Sequence, residues 1–122
     1  MANIYLDVNI LVDIFGERKH SFEVMIGDNC TVVSALSVHI LSYILKMKIP
    51  DEMLNKIVNR FKVVDLDKNV VEKSLLGPTD DFEDNVQLYS GLEGECDYFL
   101  TMDKKLLRMK YFGKMKICDK LD

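Results

Sequence analysis

The sequence predicts an α/β fold, a three-layer α/β/α sandwich around a central, mainly parallel sheet of four to five strands. Short apolar runs rich in β-branched residues alternate with segments of helical spacing along the whole chain. The strand-like runs are continuously apolar, which is typical of parallel strands that are covered on both faces. With 122 residues and 48% hydrophobic content, the chain suits a single domain spanning 1–122.

The first half of the chain divides at a glycine and a pair of serines. The predicted elements are a strand over 2–7, a helix over 9–15, a short helix over 20–27, a strand over 31–33 and a following helix with apolar positions at Val38, Leu41, Ile44 and Leu45. Gly16 is a suitable end for the first helix. Ser34 or Ser37 is expected to cap the last of these helices.

The second half begins at Pro50, which suits the first turn of a helix. The predicted elements are helices over 50–59, 68–76 and 81–93, strands over 61–66 and 98–101, a brief helix at 106–107 and a fifth strand over 115–118 at an edge. Gly77-Pro78 and Gly94 mark the ends of two of these helices. Strands and helices therefore alternate to the end of the chain.

Charge is distributed unevenly along the chain. The net charge is −4, so no global basic field attracts nucleic acid. The segment from Lys104 onward carries +5, however, and the first 103 residues carry −9. Such a chain suits a metal ion in its acidic body and a phosphate backbone at its basic end, or simply a solvated Lys-rich surface.

The three cysteines are far apart and odd in number, which favours neither a disulfide framework nor a zinc site. Cys96 and Cys118 are expected to be small core residues. The chain shows no charged-then-apolar leader and no apolar run of membrane-spanning length. We therefore expect a cytoplasmic protein without a membrane partner.

Four aspartates are predicted to meet beyond the carboxyl ends of the sheet's strands. Asp7 and Asp103 follow the first and fourth strands, and Asp81 and Asp84 open a helix that starts on the same side. Like charges at ~4 Å repel by about 4 kcal/mol per pair at an effective dielectric near 20, so a compensating cation is expected. A set made only of oxygen ligands favours Mg²⁺ or Mn²⁺.

Each acid also has a structural interpretation. Asp81 suits a helix N-cap, Asp84 suits the positive end of a helix dipole, and Asp103 suits a cap for the helix starting at Lys104. Asp7 is the hardest to explain in this way, because it lies within an apolar run where an unpaired charge is costly.

Four short segments, in order, resemble the motifs of the PIN domain family, which includes toxin ribonucleases of bacterial toxin–antitoxin pairs. They are Tyr5-Leu6-Asp7-Val8-Asn9-Ile10-Leu11, Ser34-Ala35-Leu36-Ser37-Val38-His39-Ile40-Leu41, the segment from Asp81 to Gln87, and Thr101-Met102-Asp103-Lys104. Each motif is short, but together they cover essentially the whole chain at fitting separations.

The resemblance implies an α/β/α fold and a cluster of acids that binds Mg²⁺ or Mn²⁺. It also implies a nuclease that hydrolyses RNA with the bound metal. By position, Asp7, Asp84 and Asp103 are the implied catalytic and metal-binding acids. Three residues would support them from outside the ligand set: Asn9, Asp81 and Thr101. Three basic residues would bind the nucleic-acid backbone: Lys104, Lys105 and Arg108.

One position departs from the family pattern. The second motif normally carries a Glu, which falls here on Ile40, beside His39. We keep His39 as a candidate catalytic residue, since its pKa range suits proton transfer or phosphate contact. The alternative function is a catalytically weakened PIN domain that acts as a nucleic-acid-binding or regulatory module.

The implied partners are an RNA substrate and an antitoxin protein. A homodimer is also suggested by the apolar residues Met109, Tyr111 and Phe112, although these equally suit a terminal helix packed on the core. A phosphorelay receiver is a further alternative, with Asp65 or Asp67 as the phosphate acceptor. Receivers need a pair of acids after the first strand, whereas the first strand of this chain is followed by Asp7 alone.

Overall fold

The structure, a computed structural model, describes residues 1–16 and 27–121. Its strands are β1 Asn3–Leu6, β2 Cys30–Ser34, β3 Lys62–Val64, β4 Tyr98–Leu100, β5 Tyr111–Phe112 and β6 Met115–Cys118. Its helices are α1 Val8–Gly16, α2 Ala35–Ile44, α3 Glu52–Arg60, α4 Lys68–Ser74, α5 Phe82–Glu93 and α6 Lys104–Leu107. The helix predicted over 20–27 lies, apart from Gly27, outside the described residues.

The described strands form one six-stranded sheet in the order β3-β2-β1-β4-β6-β5. Every neighbouring pair is parallel except β5 and β6, which confirms the mainly parallel sheet. The prediction of four to five strands misses β5, because a strand of two residues carries too little pattern. As a result β6 is not at the edge, since it pairs with both β4 and β5.

Helices cover both faces of the sheet, so there are two cores. On one face Ile4 and Leu6 of β1 pack in a cluster with Leu11 of α1. On the other face Tyr5 of β1 packs in a cluster with Leu88 of α5. Burial of each such aliphatic side chain stabilises the fold by about 1.5–3 kcal/mol. Apolar residues on both faces of β1 explain why its sequence is continuously hydrophobic.

Side-chain caps start five of the described helices. Ser34 caps α2, which confirms one of the two serines proposed for that role. The other four caps are aspartates: Asp51, Asp67, Asp81 and Asp103. Because Asp51 caps α3, Pro50 precedes the helix and does not lie in its first turn as predicted.

The strand order reverses between β1 and β4. From β1 the chain leads to β2 and β3 on one side, whereas β4, β6 and β5 lie on the other side. In open parallel sheets, ligands bind beyond the carboxyl ends of the strands at such a switch point. Receiver domains have the order 2-1-3-4-5, so this topology excludes the receiver alternative.

Two glycines allow α5 to lie close to the sheet. A Cβ atom at Gly91 would be 2.6 Å from Met115 Sδ, and one at Gly94 would be 2.8 Å from Val32 Cγ1. Both distances are shorter than van der Waals contact, so larger residues would push the helix outward. These contacts hold the carboxyl-terminal end of α5 against the sheet.

Candidate functional site

Asp7 lies between β1 and α1, at the carboxyl end of β1, and is 2% exposed. Its backbone N–H donates to Leu100 O at 3.0 Å, which continues the β1–β4 pairing by one residue. Thr101 Oγ1 donates to Asp7 Oδ2 at 2.6 Å. Within residues 1–16 and 27–121, Asp7 Oδ1 accepts one long bond, 3.4 Å, from the backbone N–H of Asn9. One carboxylate oxygen is therefore tightly held and the other is not.

The environment of Asp7 disfavours its charged form. Burial raises its pKa above the ordinary value, and the charge of Asp103 acts in the same sense. Hydrogen bonds from Thr101 and Asn9 and the amide of Gln87 lower the pKa without cancelling the effect of burial. A cation beside Asp7 would remove this conflict, because it favours the ionised carboxylate.

Asp84 lies in the first turn of α5 and is partly buried. Burial raises its pKa to about 6, and the negative charges of Asp81, Asp103 and Asp7 contribute further. Lys105 acts in the opposite sense. The predicted acids are thus close enough to shift one another's pKa, as expected for side chains gathered at the carboxyl ends of parallel strands.

Asp81 and Asp103 are both helix N-caps, as their structural interpretations predict. Asp81 Oδ1 accepts from the backbone N–H of Asp84 at 3.0 Å. Asp103 Oδ1 accepts from the backbone N–H of Lys105 at 2.8 Å. Each cap uses one carboxylate oxygen, so the second oxygen of Asp103 remains available to the site.

Thr101 joins the two strand ends. Its hydroxyl donates to Asp7 and accepts from the backbone N–H of Asp103 at 3.0 Å. Asn9, in contrast, has an exposed side chain, and its contact with Asp7 is through its backbone. Of the predicted supporting residues, Thr101 therefore contacts Asp7 through its side chain, and Asp81 contacts the backbone of Asp84 through its side chain. Asn9 has no described side-chain contact with the acids.

His39 and Ile40 lie in the middle of α2. His39 is exposed, and its carbonyl accepts from Ser42 Oγ at 2.7 Å. The main causes of the pKa shifts of Asp7 and Asp84 are other groups. Ile40 is partly buried and offers no metal ligand. The catalytic role of His39 stays a prediction, without a described contact that links it to the acids.

Lys105 is a basic residue close to the acids. Its Nζ donates to Asp80 Oδ1 at 2.9 Å. This pairing raises the pKa of Lys105, and Asp84 and Asp81 raise it further. Lys104 and Arg108, in the same short helix or just after it, are exposed to solvent.

Sequence reasoning missed three residues at this site: Asp80, Glu83 and Gln87. Asp80 pairs with Lys105. Burial and the charges of Asp81 and Asp7 raise the pKa of Glu83, so Glu83 also faces the acids. Gln87 is three residues after Asp84, and this spacing places both on one helical face. That spacing was the available signal.

The donor set suits a hard divalent cation, since it consists of carboxylate oxygens with a threonine hydroxyl nearby. The raised pKa of Asp84 supports this fit, because a cation would relieve the repulsion that causes it. Across residues 1–16 and 27–121, however, no three His, Cys, Asp or Glu side chains are close enough to form a complete metal cage. Metal binding would require these side chains to draw together.

The layers and the strand order define a PIN-like α/β/α fold. The crystal structure of VapBC2 from Rickettsia felis, bound to a DNA fragment from its promoter, contains a chain of this fold. The TM-score is 0.63, and the match covers 94% of this chain and 96% of that chain. At 14% sequence identity, the similarity shows the fold alone.

The sequence matches no protein-family profile and no curated protein. In the part of the chain that the structure describes, every helix is too short or too polar to cross a bilayer.

Proposed function

We propose that this protein is a PIN-type endoribonuclease that hydrolyses RNA with Mg²⁺ or Mn²⁺. Asp7, Asp84 and Asp103 would hold the cation. The observation that carries the proposal is the gathering of Asp7, Asp84 and Asp103 at the carboxyl ends of β1 and β4, where Thr101 joins Asp7 to Asp103 and the charges of both act on Asp84. Carboxylates that repel one another at a topological switch point are costly unless a ligand uses them.

The protein's own groups would divide the work. Asp7 is held at one oxygen by Thr101, which leaves its other oxygen for the cation. Asp103 contributes the oxygen that does not cap α6. When bound, the cation supplies an activated water and neutralises charge on the scissile phosphate. Asp81 holds the start of α5 and thereby fixes Asp84.

Basic residues near the acids would hold the RNA backbone. Lys105 is paired with Asp80 and has about half of its side chain exposed, so it is available to a phosphate. Lys104 and Arg108 are exposed nearby. Contacts of this kind position a substrate without reading its sequence.

The direct test is cleavage of RNA with Mn²⁺ by the wild type, Asp7→Asn and Asp103→Asn. We expect both variants to lose cleavage, with unchanged circular dichroism. Asp13→Asn is the matched control, because Asp13 is an exposed acid of α1. Cleavage by Asp7→Asn or Asp103→Asn at the wild-type rate would overturn the assignment.

A second candidate is a weakened PIN domain that binds nucleic acid or regulates without cutting. Ile40 favours it, because the family position of a metal-binding Glu is here a partly buried isoleucine. Calorimetric titration of Mn²⁺ into wild type and Ile40→Glu separates the candidates. Binding and cleavage by the wild type support the nuclease, whereas binding or cleavage only by Ile40→Glu supports the weakened domain.

A toxin role in the cytoplasm, with an antitoxin partner, is the biological setting that we propose. Its support is the resemblance in sequence motifs and the shared fold with a chain of the VapBC2 structure. Co-expression with the product of the adjacent gene tests it. Relief of growth arrest together with co-purification is the expected result, and separate elution of two folded proteins would contradict it.

A homodimer is a lesser part of the proposal. Met109 and Phe112 pack against the core, and Tyr111, in strand β5, is 58% exposed. These residues therefore do not form the terminal helix that was the alternative. Light scattering of wild type and Tyr111→Ser tests whether Tyr111 joins two copies.

A further inference from the structure

Gln87 is a buried polar residue next to the acids. It lies on α5, three residues after Asp84, and is 1% exposed. A glutamine buried to this extent requires hydrogen-bond partners, because an unsatisfied amide costs about 1–3 kcal/mol. Its contacts therefore indicate what it does.

The orientation of the Gln87 amide is fixed by α1. Its Oε1 accepts from the backbone N–H of Val8 at 2.7 Å, and Tyr5 Oη donates to the same oxygen at 3.5 Å. Val8 is the first residue of α1, so its N–H has no partner within the helix. A flipped amide would direct an NH₂ group at this N–H, so the flip is excluded.

The Nε2 of Gln87 must then point away from Val8 N. Among the described residues it has no hydrogen-bond partner of standard geometry. Asp7 directly precedes Val8, and the bond that its Oδ1 accepts from a described residue is the 3.4 Å bond from Asn9. Because Oε1 and Nε2 are bonded to the same carbon and Oε1 is held by the N–H of Val8, Nε2 lies beside the peptide bond that joins Asp7 to Val8.

We propose that Gln87 is a positioning residue for Asp7, anchored through Oε1 to the start of α1 and presenting Nε2 as a donor to Asp7 Oδ1. Thr101 would then hold Oδ2, and Gln87 would use one lone pair of Oδ1, which leaves the second lone pair of Oδ1 for the cation of the proposed function. The carboxylate is oriented from both strands and from α5. Its importance for metal binding rests on the proposed function, but the contact itself does not.

A double-mutant cycle on the metal-free protein tests the contact. We expect Gln87→Met to raise the unfolding equilibrium constant about tenfold more in the wild-type background than in Asp7→Ala, which removes both carboxylate oxygens, as measured by urea denaturation. A residue that only caps α1 would have the same effect in both backgrounds. Equal effects would therefore overturn the proposal.

Gln87→Glu provides a second variant if Gln87→Met does not fold. It keeps an oxygen for the Val8 N–H but places a carboxylate against Asp7. We expect it to destabilise the wild type and to be tolerated in Asp7→Asn, whereas a pure cap would tolerate it in both. Ser90→Ala is the matched control, because Ser90 Oγ is also buried on α5 without a described partner. Its effect should not depend on Asp7.

Mn²⁺ titration by calorimetry reads the consequence for the site. Residues that orient a metal ligand typically change affinity about 10–100-fold, so Gln87→Met should weaken Mn²⁺ binding by that factor and Ser90→Ala by no more than about twofold. If neither wild type nor variants bind Mn²⁺, the proposed function fails while the cycle still decides the contact. If Mn²⁺ binds the wild type and Gln87→Met equally, the positioning role is wrong.

Discussion

The hydroxyl of Thr101 donates to the carboxylate of Asp7 at 2.6 Å, across 94 positions of sequence. The same hydroxyl accepts from the backbone N–H of Asp103. This link continues the β1–β4 register, in which Leu6 is opposite Leu100. The geometry of the acids is therefore set by strand pairing. Thr101 links the residues that follow the two strands, because its hydroxyl bonds both Asp7 and Asp103.

Thr101→Val should destabilise the protein by about 1–3 kcal/mol, because it leaves a buried carboxylate oxygen and a backbone N–H without their partner. Val has nearly the shape of Thr, so packing is retained. Urea denaturation measures the change. Thr101→Ser keeps the hydroxyl and should lose less than Thr101→Val; the reverse order would contradict the role assigned to the hydroxyl.

Asp84→Asn should make the metal-free protein more stable while it abolishes cleavage. The substitution removes a charge that its neighbours repel. After allowance for solvent screening of this partly exposed group, we expect a gain of about 1 kcal/mol at pH 7. Thermal denaturation in chelator measures it. A loss of stability would show that Asp84 has a structural role instead.

The pH dependence follows from the same group. Its pKa in the folded protein is about 6, above the ordinary value of 3.8, so the folded chain holds this proton more tightly than the unfolded chain. The stability that Asp84 contributes should therefore fall as pH rises from about 4 to about 6 and level off above that. The difference in stability between wild type and Asp84→Asn isolates it from the other carboxylates. A difference that is constant from pH 4 to pH 7 would contradict the raised pKa.

Lys105→Ala should weaken RNA binding with little effect on folding. The pair with Asp80 is largely exposed, and such pairs contribute about 0–1 kcal/mol to stability. Loss of one phosphate contact should reduce the slope of binding against salt by about one. Fluorescence anisotropy at several salt concentrations, on a variant that binds metal but does not cut, measures it. Lys56→Ala is the control, since α3 packs at β3, the opposite edge of the sheet.

His39→Ala separates the two candidate roles of that residue. Because His39 is exposed and has no described contact with Asp7 or Asp84, we expect Mn²⁺ affinity to change by no more than about twofold. A large loss of Mn²⁺ affinity would make His39 a substitute for the missing Glu. A loss of cleavage alone would assign it to proton transfer or phosphate contact.

The strand pattern predicted most of the fold and the convergence of the acids. Continuous apolar runs indicated parallel strands. The carboxyl ends of parallel strands lie on the same side of the sheet, so Asp7 and Asp103, which each follow a strand, must lie on that side. The strand β5 escaped prediction, because a two-residue strand depends on its partner β6 for its identity. Because β5 was not predicted, β6 was expected at the edge of the sheet, whereas it lies between β4 and β5.

The surroundings of the acids were less predictable. Gln87 resembles any surface glutamine in sequence, and its burial follows from tertiary contacts with Tyr5 of β1 and with the start of α1. Glu83 faces the acids only because of where Asp81 starts the helix. A helix rotation of one residue changes which side chains face the site, and periodicity does not fix that rotation.

A crystal soaked in Mn²⁺ tests the central claim most directly. Anomalous density should appear among Asp7, Asp84 and Asp103, with carboxylate oxygens at roughly 2.0–2.3 Å, as hard divalent cations require. The same soak of Asp84→Asn should show weaker density or none. Absence of density in the wild type, or density bound elsewhere on the chain, would contradict the metal site and with it the proposed nuclease.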